Sequence, residues 1–391
     1  MNSLRPLHQM PDLSHAKDEV KEVLTKLSRG MEPSKSDARI LAYAEGADID
    51  AMAETADQMR AETVGDRVTF TLNRNINFTN VCFVGCSFCG FSRSRTSKDA
   101  YFLTLDQMIA KTAEAVELGA TEVCIQGGLE ETMPATHYID MVKAIKDAFP
   151  AIHIHAFSPM EIDYGVEKTG MSLNAYFQAL KKAGLGSIPG TAAEILDDRI
   201  RQKLSPVKLT ADRWEEIIRT AHQNGIRSTS TMMYGHVETP DDWVNHLFRL
   251  REIQKDTGGF TEFVPLGFIH YDTHAYKFGR ARAGATYDEH KKVHALSRIL
   301  LHGLIDNIQL SWVKLGPERG SELLHAGAND FGGTLMEENI SKQAGSKFGE
   351  YLSAEEIAAY IQKAGKTPAI RDTLYTAISP YEPASSGSVT I

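Results

Sequence analysis

Apolar residues recur at helical spacing from Ala16 to Gly65. Val20, Val23, Leu24 and Leu27 form one stripe, Ile40, Leu41 and Ala44 a second, and Ile49, Met52, Ala53, Ala56 and Met59 a third. Residues 1–15 are polar, and a poorly ordered start is expected there. From Val68 the period changes, and short apolar runs alternate with amphipathic helices. Strands are predicted from about Asn75 and over Glu122–Gln126, Ile152–Phe157, Gly186–Pro189, Ser228–Tyr234, Phe260–Pro265, Asn307–Trp312 and Ala326–Asp330. Helices between them are signalled by a capping box at Thr104 and Gln107, by Thr239 followed by Pro240, and by the stops at Gly119 and Gly184. About eight β–α units predict an α/β fold, a (β/α)8 TIM-type barrel rather than an open sheet. Three segments follow: an N-terminal helical extension over 1–66, the barrel with a C-terminal helix over 67–375, and a mobile, linker-like tail over 376–391.

Composition then narrows the function classes. Of the 391 residues 42% are hydrophobic, enough for one large core, and a formal charge of −9 without a basic cluster argues against a nucleic-acid-binding surface. No apolar run approaches membrane-spanning length, and the first residues lack a signal-peptide layout, so a soluble, cytoplasmic protein is expected.

Three of the four cysteines fall within eight residues, as Cys82-x3-Cys86-x2-Cys89. Such clustering suits a reducing compartment and a metal site, not a disulfide framework. Soft thiolates favour zinc or iron–sulfur, and structural zinc would draw a fourth ligand from a second Cys/His pair at short spacing, which the chain lacks. Ferredoxin runs carry four cysteines and close every iron. Three cysteines instead suit a [4Fe–4S] cluster with one iron open to a small molecule. Cys124, alone in mid-strand, reads as a small buried hydrophobe.

In a barrel of this type, function gathers where strands end. That rule selects Gln126, Gly127 and Gly128, then His155, Ser158 and Glu161, then Glu194 at the opening of a helix, His236, Lys314, Asn329 and Asp330. The glycine pair reads as a turn that lets backbone approach a ligand. His153 and His155 face the same side of their strand, as core residues or as catalysts. The stretch 267–286, with Tyr271, His274, Tyr276, Arg280 and Arg282, is a candidate lid or a plain exposed loop.

With Phe88 before the last cysteine, the motif C-x3-C-x-aromatic-C resembles the signature of the radical S-adenosylmethionine (SAM) superfamily. Segments His155–Glu161, Ser187–Asp198, Ser230–His236, Phe260–Leu266, Ser311–Gly316 and Gly327–Asn339 resemble the second subunit of FO synthase, over roughly residues 60–375. Menaquinone-pathway radical enzymes (aminofutalosine synthase and dehypoxanthine futalosine cyclase) share several of these segments and are the alternative within the same chemistry. A non-catalytic iron–sulfur electron-transfer protein or a structural zinc site is the alternative of another class. Gly90 stands where the family leads one to expect alanine.

The resemblance implies that Cys82, Cys86 and Cys89 ligate a [4Fe–4S] cluster whose fourth iron holds SAM. It places Phe88 beside the adenine and the backbone of Gln126, Gly127 and Gly128 against the methionyl amino group. It implies a transferase that cleaves L-tyrosine between Cα and Cβ through a 5′-deoxyadenosyl radical. The 4-hydroxybenzyl group would pass to C5 of 5-amino-6-(D-ribitylamino)uracil, in the biosynthesis of FO and coenzyme F420. One cysteine motif, not two, implies a functional partner, FO synthase subunit 1, and an electron donor is required. His155, Glu194 and His236 are then the candidate catalytic residues, with Ser158, Glu161, Glu262, Asn329 and Asp330 the candidate substrate-binding residues.

Overall fold

Short runs form strands, the first nine parallel to one another and the tenth antiparallel, in the computed structural model, which describes residues 5–382. They are β1 (Arg67–Thr71), β2 (Asn73–Ile76), β3 (Glu122–Ile125), β4 (His153–Ala156), β5 (Ser187–Ile188), β6 (Arg227–Tyr234), β7 (Phe260–Gly267), β8 (Asp330–Gly333), β9 (Thr367–Arg371) and β10 (Ile378–Pro380). Strands β2 to β7 pair in chain order as one parallel sheet. Beyond β7 the ring continues through single parallel bridges, Phe263 to Ile308 and Gln309 to Asp330, and β8 pairs with β1. β1 and β2 are one strand interrupted at Leu72, so the circuit closes as the predicted (β/α)8 barrel.

Two strands differ from their predicted extents by more than a residue or two. The seventh is reduced to the Ile308 and Gln309 bridges, because Trp312–Leu315 turns helical, seated by the Trp312 indole N–H on the Gly333 carbonyl at 3.0 Å. The eighth begins at Asp330, where the predicted one ends.

The N-terminal helices form over Asp18–Ser28, Lys35–Ala42 and Ala47–Val64, with their apolar stripes buried. They pack outside the ring: Lys35–Ala42 against the helix Pro240–Thr257, Ala47–Val64 against Tyr287–Leu301. The segment before them is held rather than loose. Leu13 is buried, the Leu7 N–H donates to the Ser28 carbonyl at 2.8 Å, and the Arg5 carbonyl lies 3.1 Å from His302 Nε2.

After the last helix, Ala354–Lys363, the chain returns to the barrel. β9 runs parallel to β1, β10 runs antiparallel to β9, and side chains of the turn between them reach the interior. The expectation of a mobile tail from residue 376 is therefore corrected for Ile378–Pro380, whose residues pair with Arg371, Ile370 and Ala369. The rest of that tail, 383–391, lies outside the described residues.

Candidate active site

Strand β2 leads straight into the cysteine loop, whose three thiols line a cavity of about 260 Å³. Backbone bonds shape the loop. The Cys89 N–H donates to the Cys86 carbonyl at 3.1 Å, the Cys82 N–H donates to the Arg93 carbonyl at 3.1 Å, and Gly85 takes a φ of +66°. Burial foremost, and then Cys86, pushes the Cys89 thiol up to about 11; burial raises Cys82 as well. Such thiols ionise once a metal supplies positive charge. Among the described residues, no three His, Cys, Asp or Glu side chains converge on a point suited to a single ion. Each cysteine of a four-iron cluster binds its own iron, so its sulfurs stand wider apart than around one zinc. The donor set fits the cluster.

The glycine pair has a packing cause as well as a place on the cavity wall. A Cβ on Gly127 would stand 2.5 Å from the Phe78 ring, and one on Gly128 would stand 2.1 Å from the Val81 carbonyl oxygen. Ser158 and Glu161 border the same cavity as a capping box on the helix Pro159–Thr169. Glu161 Oε2 accepts from the Ser158 N–H at 2.7 Å and from its hydroxyl at 2.6 Å, while Oε1 accepts from the Gly127 N–H at 3.0 Å. These polar atoms hold the fold at the cavity wall. The S-x-x-E spacing before a helix was a readable signal of that role.

Glu194 does not open a helix. That helix starts at Asp198, and Glu194 sits in a turn with a left-handed φ of 44°, close to Ala192 at 61°. Its carboxylate forms a largely enclosed, half-buried ion pair with Lys208. Burial opposes ionisation, but Lys208 and Arg201 hold Glu194 below the usual carboxylate range. Lys208 Nζ in turn lies 5.2 Å from the centre of the Phe88 ring, tying this wall to the cysteine loop.

A second cavity of about 270 Å³ fills the barrel interior and shares Gln126, Thr191, Thr231, Leu266, Lys314 and Ser341 with the first. Thr71, Asn73, Asn75 and Asn77 line it at every second position along one strand. On the facing wall His155 Nδ1 lies 2.7 Å from Ser187 Oγ, which also lies 2.8 Å from His153 Nε2. One hydroxyl hydrogen serves one ring only, so the other ring donates to the oxygen. Burial takes His155 down to about 4, leaving a neutral imidazole at pH 7.

At the floor, Glu262 accepts from the Tyr375 hydroxyl at 2.5 Å and from Gln309 Nε2 at 3.2 Å, and burial pushes its carboxyl up to about 7. The Thr373 hydroxyl donates to Glu122 at 2.6 Å, and Arg371 Nε donates to Asp330 at 2.5 Å. Arg371, Thr373 and Tyr375 all come from the C-terminal hairpin, and none was anticipated. The alternation of Thr71, Asn73, Asn75 and Asn77, by contrast, was legible as a polar face at period two.

Three predicted site residues line neither cavity. His236 is buried between the Met233 carbonyl, 2.9 Å from Nε2, and Glu238, 2.9 Å from Nδ1. Asn329 accepts from Arg298 at 2.6 Å and from the Ile308 N–H at 2.8 Å, fixing the short seventh strand. Asp330 accepts from the Thr69 hydroxyl at 2.6 Å and is paired with Arg371. Their polar atoms are engaged by the fold, and the structure does not bring His236, Asn329 and Asp330 to either cavity wall.

Of the predicted lid, Gly267, Phe268 and Ile269 reach the first cavity, while Tyr271 and Tyr276 are exposed. Its short helix His274–Lys277 sits on the cysteine loop, the Ala275 N–H donating to the Ser87 carbonyl at 2.7 Å. A second cover follows β8. Ile340 and Ser341 line both cavities, and the segment leading to them passes through left-handed backbone at Leu335 and Met336 (φ 60° and 53°).

Residues 76–250 match the model of the radical SAM superfamily, and residues 257–382 match that of the CofH/MqnC C-terminal region. Over 326 residues the chain is 51% identical to the 5-amino-6-(D-ribitylamino)uracil–L-tyrosine 4-hydroxyphenyl transferase of Methanopyrus kandleri, covering 83% of this chain and 88% of that protein. The chain belongs to this family of radical SAM proteins. The FO synthase of Streptomyces coelicolor is 52% identical over 339 residues, which are 87% of this chain and 39% of that protein. The chain thus spans about two fifths of the length of such relatives. Two solved structures share the radical SAM fold. The FeFe-hydrogenase maturase HydG from Carboxydothermus hydrogenoformans matches with a TM-score of 0.73 over 92% of the chain at 18% identity, and methylornithine synthase (PylB) with 0.70 over 89% at 17%. Radical SAM proteins bind a [4Fe–4S] cluster and SAM. No helix among the described residues is long and apolar enough to cross a membrane.

Proposed function

We propose that this chain transfers the 4-hydroxybenzyl group of L-tyrosine, released by Cα–Cβ cleavage, to C5 of 5-amino-6-(D-ribitylamino)uracil in the assembly of FO. The observation that carries this reading is a cysteine-walled cavity opening into a polar barrel interior, in a chain 51% identical to a relative named for that transfer. In it Cys82, Cys86 and Cys89 would hold the [4Fe–4S] cluster, and the cluster with SAM would supply the radical chemistry.

The chain's own residues bind, orient and exclude. Phe88 and the backbone of Gln126, Gly127 and Gly128 border the SAM site. Asn73, Asn75, Asn77 and His155 offer the acceptor's hydroxyls and ring amides the uncharged donors and acceptors that a polyol needs, and Glu262 adds an acceptor at the floor. The closed ring and its two covers keep water and stray hydrogen donors from reactive species, the main task left to the protein when a cofactor does the chemistry. FO synthase subunit 1 would complete the product, an electron donor would reduce the cluster, and the setting would be the cytoplasm.

Anaerobic reconstitution with SAM, reductant, ring-labelled tyrosine and the diaminouracil tests the reading. The expected result is 5′-deoxyadenosine together with an adduct that carries the labelled ring, detected by mass spectrometry. Turnover with a futalosine precursor in place of tyrosine would reassign the chain to the menaquinone-pathway enzymes. No 5′-deoxyadenosine with any substrate would leave an electron carrier.

A further inference from the structure

The two cavities meet at a lysine whose charge no carboxylate among the described residues pairs. Lys208, Lys314 and Arg371 are the Lys and Arg side chains on their walls. Lys208 is paired with Glu194, and Arg371 with Asp330 and Glu262. Lys314 has no carboxylate partner among the described residues; its ammonium donates to the Ser341 hydroxyl at 3.2 Å. An ammonium carries three donors, so most of its capacity stays open. The acidic group whose charge it feels is held by other donors. Glu338 Oε2 accepts from the Asn75 amide at 2.7 Å and Oε1 from the Ser341 N–H at 2.6 Å. Burial lowers the lysine's pKa against the pull of Glu338, the mark of a cation short of counter-charge. The short helix Trp312–Leu315 holds Lys314 in place, anchored through the Trp312 indole.

We propose that Lys314 binds the carboxylate of the amino-acid substrate, at the neck between the cysteine-walled cavity and the polar interior. The inference rests on the tyrosine reading above. An amino acid that must meet a radical on one side and an acceptor on the other belongs at that neck, and Lys314 lines both cavities there. The acceptor has neither carboxylate nor phosphate. A lysine serves a single carboxylate as a compact point charge, whereas Arg371 is already engaged by two carboxylates.

The test uses the reconstituted full chain with SAM, comparing tyrosine with tyramine, which keeps the ring and amine but lacks the carboxylate. Lys314→Met is expected to raise the tyrosine KM at least about tenfold, the loss of one charge-assisted contact. It should also abolish the preference for tyrosine over tyramine, while the KM for SAM and substrate-free 5′-deoxyadenosine formation stay within about twofold. Lys314→Arg should keep part of the preference, and Lys314→Gln carries the comparison if the Met variant fails to fold. The inference is overturned if Lys314→Met or Lys314→Gln keeps the wild-type preference, or if the loss falls on SAM instead. A wild-type chain that takes up no tyrosine overturns the parent reading and this inference with it. Normal tyrosine turnover in Lys314→Met overturns this inference alone.

Discussion

At Gly128 the effect of one methyl group is set by backbone. A Cβ there would stand 2.1 Å from the Val81 carbonyl oxygen and 2.9 Å from the Cys82 Cβ, and a carbonyl cannot swing aside as a side chain can. Gly128→Ala is expected to displace the root of the cysteine loop, with a loss of about 1–3 kcal/mol in denaturant unfolding and less iron bound per chain after reconstitution. Glu238 shows the same dependence on surroundings through charge. Burial opposes its ionisation, but the His236 hydrogen bond and charge, with the N–H groups of Gly235 and His236, hold its carboxyl well below the usual range. As pH falls below the ordinary value of 4.5, the unfolded chain takes up this proton first. The stabilisation is therefore complete above that pH and lost below it. Glu238→Gln should flatten the acid limb of a stability–pH profile, which urea melts across the acid range would show.

Among the elements, the cover after β8 combines strain with surface ion pairs. Left-handed backbone at Leu335 and Met336 is unfavourable for residues with a side chain. It is held by Glu337, 2.9 Å from Arg74 and 2.7 Å from Lys111. Exposed or partly exposed pairs of this kind contribute up to about 1 kcal/mol each, so Glu337→Gln should alter global stability little. It should instead speed amide hydrogen exchange over 334–346 and raise substrate KM with iron content unchanged. The residue where alanine was expected bears on the same element. A Cβ on Gly90 would stand 2.4 Å from the Gln343 carbonyl oxygen, so Gly90→Ala should loosen the cover from the opposite side, by the same exchange measurement.

For the whole molecule, the C-terminal hairpin is part of the barrel's interior. Arg371 and Asp330 are almost wholly buried, at 3% and 0% side-chain exposure. Removing one charge leaves the other without compensation. Arg371→Met is expected to cost about 3–5 kcal/mol in equilibrium unfolding, and adding Asp330→Asn should recover part of it. The sequence reading ended the catalytic unit at a helix and a tail, because a β–α pattern has no means of showing that a later strand comes back to pair with β1.

Local chemistry was legible from the chain alone. Helical stripes, the capping box at Thr104 and the cysteine spacing all depend on neighbours a few residues apart, and those neighbours are in the sequence. Tertiary structure decided which polar groups are free to act. Glu194 met Lys208 across 14 residues, Asp330 met Arg371 across 41 and Glu262 met Tyr375 across 113, separations at which no periodicity operates. The same packing engaged His236, Asn329 and Asp330 in the fold and left Lys314 without a carboxylate partner among the described residues. Burial makes an unmet charge costly, and folding brings distant groups together, so only the folded chain shows which charges find partners.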